Sequence, residues 1–88
     1  MSAGHDPSEA IGRVTHYYGH LSVAAVSLSA PLALGDRIHI HGHSTDVEQT
    51  VASLEVEHTK VQRAAPGEDV ALLVDGHVRE HDLIYPEA

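Results

Sequence analysis

The sequence predicts an all-β fold, a small closed antiparallel barrel of six or seven strands, on three observations. Runs rich in valine, isoleucine, threonine and tyrosine alternate with turn signals of glycine, proline, aspartate and serine from Ile11 onward. Nowhere do the apolar residues keep the i, i+3, i+4, i+7 spacing of an amphipathic helix over about three turns. The runs are short, and closing short strands on one another removes the edges that a small open sheet would have to protect. Eighty-eight residues make one domain, since a chain of this size cannot divide into two cores. Without phenylalanine or tryptophan, the core has to come from Val, Leu, Ile and Ala with three tyrosines.

Residues 1–10 lack apolar periodicity and read as a flexible N-terminal lead-in, which leaves residues 11–86 as the single barrel domain. The first strand, 11–18, ends at Gly19-His20. The second, 21–29, is apolar on both faces over part of its length and reads as central. Residues 31–36 form a turn in which Pro31 fixes φ and Gly35 is free to take a positive one. The next strand starts at Asp36 or Arg37, with Ile38 and Ile40 facing one way, His39 and His41 the other, and Gly42 closing it. Ser44-Thr45-Asp46 turns the chain. Over 47–58 the apolar parity switches near Ala52, as a β-bulge or a corner bend produces, and Glu55 and Glu57 flank Val56 as solvent-facing neighbours. A short polar strand at 59–64 ends in the 65–69 turn. Residues 70–74 are the most apolar run and read as deepest. Asp75-Gly76 reverses the chain, 78–82 leads into a last strand at 83–85, and Pro86, which has no N–H to donate, stops the pairing. Three apolar strands follow an acid set just after a turn: Asp36, Asp69 and Asp82.

Thirteen acids against five bases give a formal charge of −8, which opposes a phosphate-tracking groove, because such a groove works through lysine and arginine displacing counterions. Direct nucleic-acid binding is expected to be weak. Protonation of all nine histidines would carry that charge from −8 to +1, so surface character depends on pH. The absence of cysteine excludes a disulfide framework and a thiolate metal site. No apolar run approaches the ~18 residues of a membrane span, and the default expectation is a cytoplasmic protein with no membrane partner.

His39, His41 and His43 form an H-x-H-x-H pattern. On a strand, this spacing sets successive imidazoles on one face about 6.6–7 Å apart. Such rings can share a divalent ion such as zinc, with Asp46 or His58 completing the set; the competing reading is a solvated stripe on the barrel exterior. Tyr17-Tyr18-Gly19-His20 places two aromatics beside a turn, where a ring can stack on a base or a partner side chain, making Tyr17, Tyr18 and His20 the candidate partner-binding residues. Strand alternation sends the two rings to opposite faces, so one plugs the barrel while the other is presented. Catalysis has little footing. Serines, histidines and acids abound, but no G-x-S-x-G nucleophile turn occurs, and Glu55 and Glu57 at i, i+2 mark a solvated edge.

The succession Leu34-Gly35-Asp36-Arg37-Ile38-His39-Ile40-His41-Gly42, then Val51-Ala52-Ser53-Leu54 with Val61, Ala64, Gly67, Val70, Ala71 and Leu72, and last Glu80-His81-Asp82-Leu83-Ile84-Tyr85, resembles domain II of translation GTPases such as elongation factor Tu and initiation factor 2. It is also similar to the small C-terminal barrel of U32 peptidase-related proteins, whose members include RNA-hydroxylation factors. The opening run 11–18 and the turn Gly42-His43-Ser44-Thr45-Asp46 are closer to that second set. Two departures stand out. No G-x-x-x-x-G-K-[ST] occurs, so the chain has no GTP cradle, and the family's glycine at the closing turn is His81 here. The resemblance implies a translation-protein domain II-like barrel. It also implies a non-catalytic binding module that docks on a protein or ribonucleoprotein of translation or RNA modification and carries no cofactor. A divalent metal-binding or pH-responsive histidine protein is the alternative, and a self-associating structural protein a third.

Overall fold

The computed structural model describes residues 6–87. Ten antiparallel strands follow a single 3-10 turn at Pro7–Glu9. They are β1 (Gly12–Tyr18), β2 (Val23–Leu28), β3 (Leu32–Ala33), β4 (Arg37–His41), β5 (Asp46–Thr50), β6 (Glu55–Val56), β7 (Thr59–Lys60), β8 (Arg63–Ala64), β9 (Asp69–Leu73) and β10 (Leu83–Pro86). The all-β expectation holds, but the barrel does not close. One eight-stranded sheet runs β5-β4-β10-β1-β2-β9-β6-β7, curls on itself and stops, while β3 and β8 pair separately. There are more strands than six or seven because the 47–58 and 59–64 runs break up and because Leu32–Ala33, inside the expected 31–36 turn, pairs with Arg63–Ala64 as β3. Residues 51–54 leave the ladder where the parity switches, and Glu57 and His58, at φ 51° and 65°, make the hairpin turn between β6 and β7.

Alternation explains the core. β2 lies between β1 and β9, turning Ala24, Val26 and Leu28 inward. β4 contributes Ile38 and Ile40, both at 0% exposure, and Ile84, Val14, Val70, Leu72, Val51 and Leu54 join them, with Leu32, Ala64, Val74 and Val78 completing the cluster. β9 is not uniformly deep: Val70 and Leu72 are buried, whereas Leu73 on its other face is 43% exposed. Residues 78–82 form no strand, and Pro86 ends β10 opposite Ile38 without ending the pairing, since Glu87 N–H still donates to Arg37 O at 2.9 Å.

The open seam is bridged by side chains. β6 pairs with β9 only at Ala71 and Val70, so the far end of β9 has no strand on that side. There Gln49 of β5, 2% exposed, donates from Nε2 to Leu73 O at 2.8 Å and accepts Asp75 N–H on Oε1 at 2.7 Å. The Ser53 hydroxyl accepts Leu73 N–H at 3.3 Å. One primary amide thus stands in for a missing rung of ladder, offering one donor and one acceptor as a peptide does.

A single device makes three of the turns. Asp36 N–H donates to Ala33 O while the Asp36 carboxylate accepts Ala33 N–H; Glu68 does the same with Ala65, and Asp82 with Arg79. The residue before each acid has positive φ: Gly35 at 89°, Gly67 at 89° and His81 at 77°. The second capping acid is therefore Glu68, and Asp69, the residue expected from the sequence, begins β9 instead.

Two stability outcomes follow from these contacts. Gln49→Leu removes two part-buried hydrogen bonds, to Leu73 O and from Asp75 N–H, at a cost of about 1–3 kcal/mol, read as a lower midpoint in urea denaturation. His81→Gly relieves a left-handed residue bearing a side chain and raises stability by about 0.5–1 kcal/mol, after allowing for glycine's larger unfolded entropy; the same titration measures it.

Candidate functional site

Two outward faces of the sheet carry chemistry. The first spans β5, β4 and β10. Because β4 buries Ile38 and Ile40, its alternate residues Arg37, His39 and His41 point outward. The ladder sets His39 beside Glu48 on β5 and Tyr85 on β10, and His41 beside Asp46 and Leu83. His39 is 8% exposed although it lies on an outer face. Its Nε2 meets Asp46 Oδ1 at 2.5 Å, and its ring stands edge-on to that of His41 with centroids 5.4 Å apart. Glu87, just past β10, lies with its Oε1 3.7 Å from Arg37 Nη2.

The H-x-H-x-H pattern is only partly assembled. His39 and His41 share the face, but His43 is exposed at the tip of the β4–β5 hairpin, where Gly42 and Thr45 exchange backbone hydrogen bonds. His58 sits exposed in the other hairpin turn. Gly42 closes β4 for a packing reason, because a Cβ there would overlap the Asp82 carboxylate. Among the described residues, the potential ligand atoms that converge are those of His39, Glu48 and Glu87, all within 4.8 Å of one another. Glu48 was within reach of the sequence, since pairing His41 with Asp46 forces His39 opposite Glu48. Glu87 was not, because Pro86 signals the end of pairing.

The second face spans β1, β2 and β9. A bulge at Thr15 shifts the β1 register between Val14 and His16, after which Tyr17 faces inward with Ala24 and Tyr18 faces outward. The Tyr17 ring packs against the core and stands edge-on to His77 at 4.8 Å. Tyr18, Val23 and Leu73 form one outward row, with Ala25 and Ala71 behind it and Leu21 in the adjoining turn. Tyr18 is 42% exposed, Leu21 56% and Leu73 43%, while the His16 ring lies 4.3 Å from that of Tyr18. His20 is exposed in the turn between β1 and β2. The sequence points to Tyr18 but not to Leu73, whose strand reads as uniformly buried.

Two shallow depressions, of about 230 and 250 Å³, lie near Pro31 and Asp36, the second reaching Arg37 and Glu87 at the edge of the first face; both are below the ~300 Å³ at which small-molecule sites begin. The hydroxyls of Ser29 and Ser53 are engaged with backbone groups.

No family model matches the chain. It is 41% identical over 76 residues to a protein of Methanocaldococcus jannaschii named an uncharacterized protease; the match takes in 85% of this chain and 19% of that protein. The chain therefore spans about a fifth of the length of its curated relative. In three dimensions it matches the C-terminal domain of a protein from Geobacillus thermoleovorans described as a U32 peptidase, with a TM-score of 0.87 at 18% identity over 98% of this chain and all of that one. The selenomethionine variant of the same domain gives 0.82 at 19% identity, covering 88% and 98%. The chain thus has the fold of a U32 peptidase C-terminal domain. These findings support the second of the two resemblances; the likeness to translation GTPases stays with the sequence motifs. Among the described residues no helix is long and apolar enough to cross a membrane.

Burial, then the nearby Asp6 and Glu9 carboxylates, hold the Tyr85 hydroxyl above the usual phenol range near 10. The folded state therefore keeps this proton where the unfolded chain releases it, and stability falls as pH rises past about 10. Tyr85→Phe is expected to flatten that alkaline loss, measured as the difference in thermal midpoint between pH 9 and pH 11.

Proposed function

We propose that this domain is a non-catalytic recognition module of a U32 peptidase-related protein, docking through the outer face of β1, β2 and β9 on the larger body of such a protein, in the same polypeptide or a separate one. The observation that carries this reading is the row of Tyr18, Val23 and Leu73 with Leu21 beside it, an apolar surface left in water by a domain with few large apolar residues to spare. An aromatic ring with a rigid strand behind it loses little entropy on binding, and the small Ala25 and Ala71 leave room for an incoming side chain. The relative in which the matched region is 19% of the length supplies a context of the right kind, a small domain attached to a much larger one. The chain's charge of −8 favours a protein surface over RNA. Action in translation or RNA modification, in the cytoplasm, is the setting that the family resemblance suggests for the assembled protein.

The test is a binding titration between this domain and the large domain of a U32 peptidase-type protein from the same organism. The double variant Tyr18→Ser, Leu73→Ser is expected to weaken binding at least tenfold with its circular dichroism unchanged. Unaltered affinity of the double variant, or no binding by the parent chain, overturns the assignment of this face.

A further inference from the structure

We propose that Asp75 is a site of spontaneous covalent modification, closing on Gly76 to a succinimide that reopens as isoaspartate, and that this change loosens the seam between β5 and β9. The Gly76 backbone nitrogen attacks Asp75 Cγ, a five-membered imide forms, and one water leaves, taking a carboxyl oxygen and the amide proton. Water then adds to either imide carbonyl. Addition at Cγ restores aspartate. Addition at the main-chain carbonyl leaves the chain running through Cβ and Cγ, with one more methylene in the backbone and the former main-chain carbonyl as a free carboxylate. Mass and formal charge end unchanged, and no cofactor or second reactant besides water is used.

The structure singles out this aspartate from the other five. Asp75 precedes glycine, which has no Cβ to shield the attacking nitrogen and the widest backbone freedom for ring closure. Asp6 precedes Pro7, which has no N–H. The carboxylates of Asp36 and Asp82 are held by Ala33 N–H and Arg79 N–H, and that of Asp46 by His39. Asp69 lies within β9, laddered to Ser27 of β2. Asp75 stands just past the end of β9 and is exposed. None of the hydrogen bonds or ion pairs among the described residues engages its carboxylate or the Gly76 N–H.

The same position is where a longer backbone does most harm. The chain is fixed up to the Asp75 nitrogen, because Val74 N–H donates to Ser22 O at 2.9 Å and Asp75 N–H to Gln49 Oε1 at 2.7 Å. It is fixed again at Val78, which is 1% exposed. The extra methylene has to be taken up between these points. Gly76 has little room there, since even a Cβ on it would lie 2.9 Å from Val47 Cγ2. His77, edge-on to the Tyr17 ring at 4.8 Å, lies in the same stretch. Lengthening the chain here therefore pushes Gly76 against Val47 of β5 or draws Asp75 away from Gln49, and both weaken the closure of the seam.

The experiment ages the folded full chain at 37 °C and pH 7.5, then maps its peptides by chromatography and mass spectrometry, with methyl transfer by an isoaspartyl methyltransferase as the chemical identification. The peptide holding residues 75–76 is expected to gain an isomer of unchanged mass at least tenfold faster than peptides holding Asp36, Asp46, Asp69 or Asp82, with a species lighter by one water preceding it. Asp75→Glu, which would have to close a six-membered ring, is expected to gain none while keeping its circular dichroism. The aged parent is expected to unfold at a lower urea midpoint than the fresh chain, and aged Asp75→Glu at an unchanged one. Isomer that forms in urea-unfolded chain but not in the folded one overturns the proposal, because the fold then protects the site. Isomer that forms with the midpoint unmoved overturns the effect on the seam. Both readouts use the chain without a partner, so they are decided separately from the docking surface.

Discussion

The Gln49 amide fixes how this sheet closes. A curled sheet of short strands leaves unpaired peptide groups wherever one strand ends before its neighbour, and β6 ends before β9 does. Buried peptide groups without partners cost about 1–3 kcal/mol each, so a domain of this size cannot leave several. Gln49 meets Leu73 O and Asp75 N–H at once, and Ser53 takes the remaining N–H. β5 is thereby held on two sides, by its ladder to β4 and by this amide to the end of β9. Gly76 makes room for the approach, since a Cβ there would lie 2.9 Å from Val47 Cγ2. With Gln49 turned inward, alternation turns Glu48 outward, and its place beside His39 follows from the same constraint.

The three acid-capped turns complete the scaffold by local means. Each returns the chain into a strand through one backbone hydrogen bond and one carboxylate, with the preceding residue in the left-handed region. Glycine occupies that position twice, because it lacks the Cβ that makes such a φ costly. At the third turn the Asp82 side chain is 5% exposed and packs where Gly42 leaves space, so this turn is tied to the end of β4 as well as to its own backbone. Conformational cost at His81 is accepted where the surrounding contacts over-determine the turn.

Most of what depended on alternation within a strand was legible from the sequence, β9 excepted, where a wholly apolar run hid the outward turn of Leu73. Ile38 and Ile40 against His39 and His41, the inward Ala24, Val26 and Leu28, and the division of Tyr17 from Tyr18 all follow from a period of two. Relations between strands were hidden. Nothing local shows that β6 and β7 stop after two residues each, that Glu57 and His58 make a positive-φ turn without glycine or asparagine, or that a glutamine replaces a rung. The open seam is therefore the point at which the closed-barrel expectation fails. The parity switch near Ala52 marked the right place, but a bulge and a departure from the ladder look alike in sequence. The histidine face was half legible, since H-x-H is a strand pattern and Glu87 is a matter of topology.

The charge of −8 is organised by this architecture. Asp6, Asp36, Glu68 and Asp82 accept backbone N–H groups in turns, where a carboxylate does the work of a missing ladder partner. Asp46, Glu48 and Glu87 cap no N–H group described for the turns; they gather instead around one imidazole that burial holds in place. Asp46 and Glu48 share β5 and Glu87 lies just past β10, so these carboxylates repel one another across neighbouring strands. The β1–β2–β9 face is different in kind, apolar and built on small alanines. A sheet whose inner side is filled by one core can specialise its outer side region by region, because side chains a strand or two apart share backbone but few contacts. The curl supported by Gln49 sets these regions on separate flanks of the sheet.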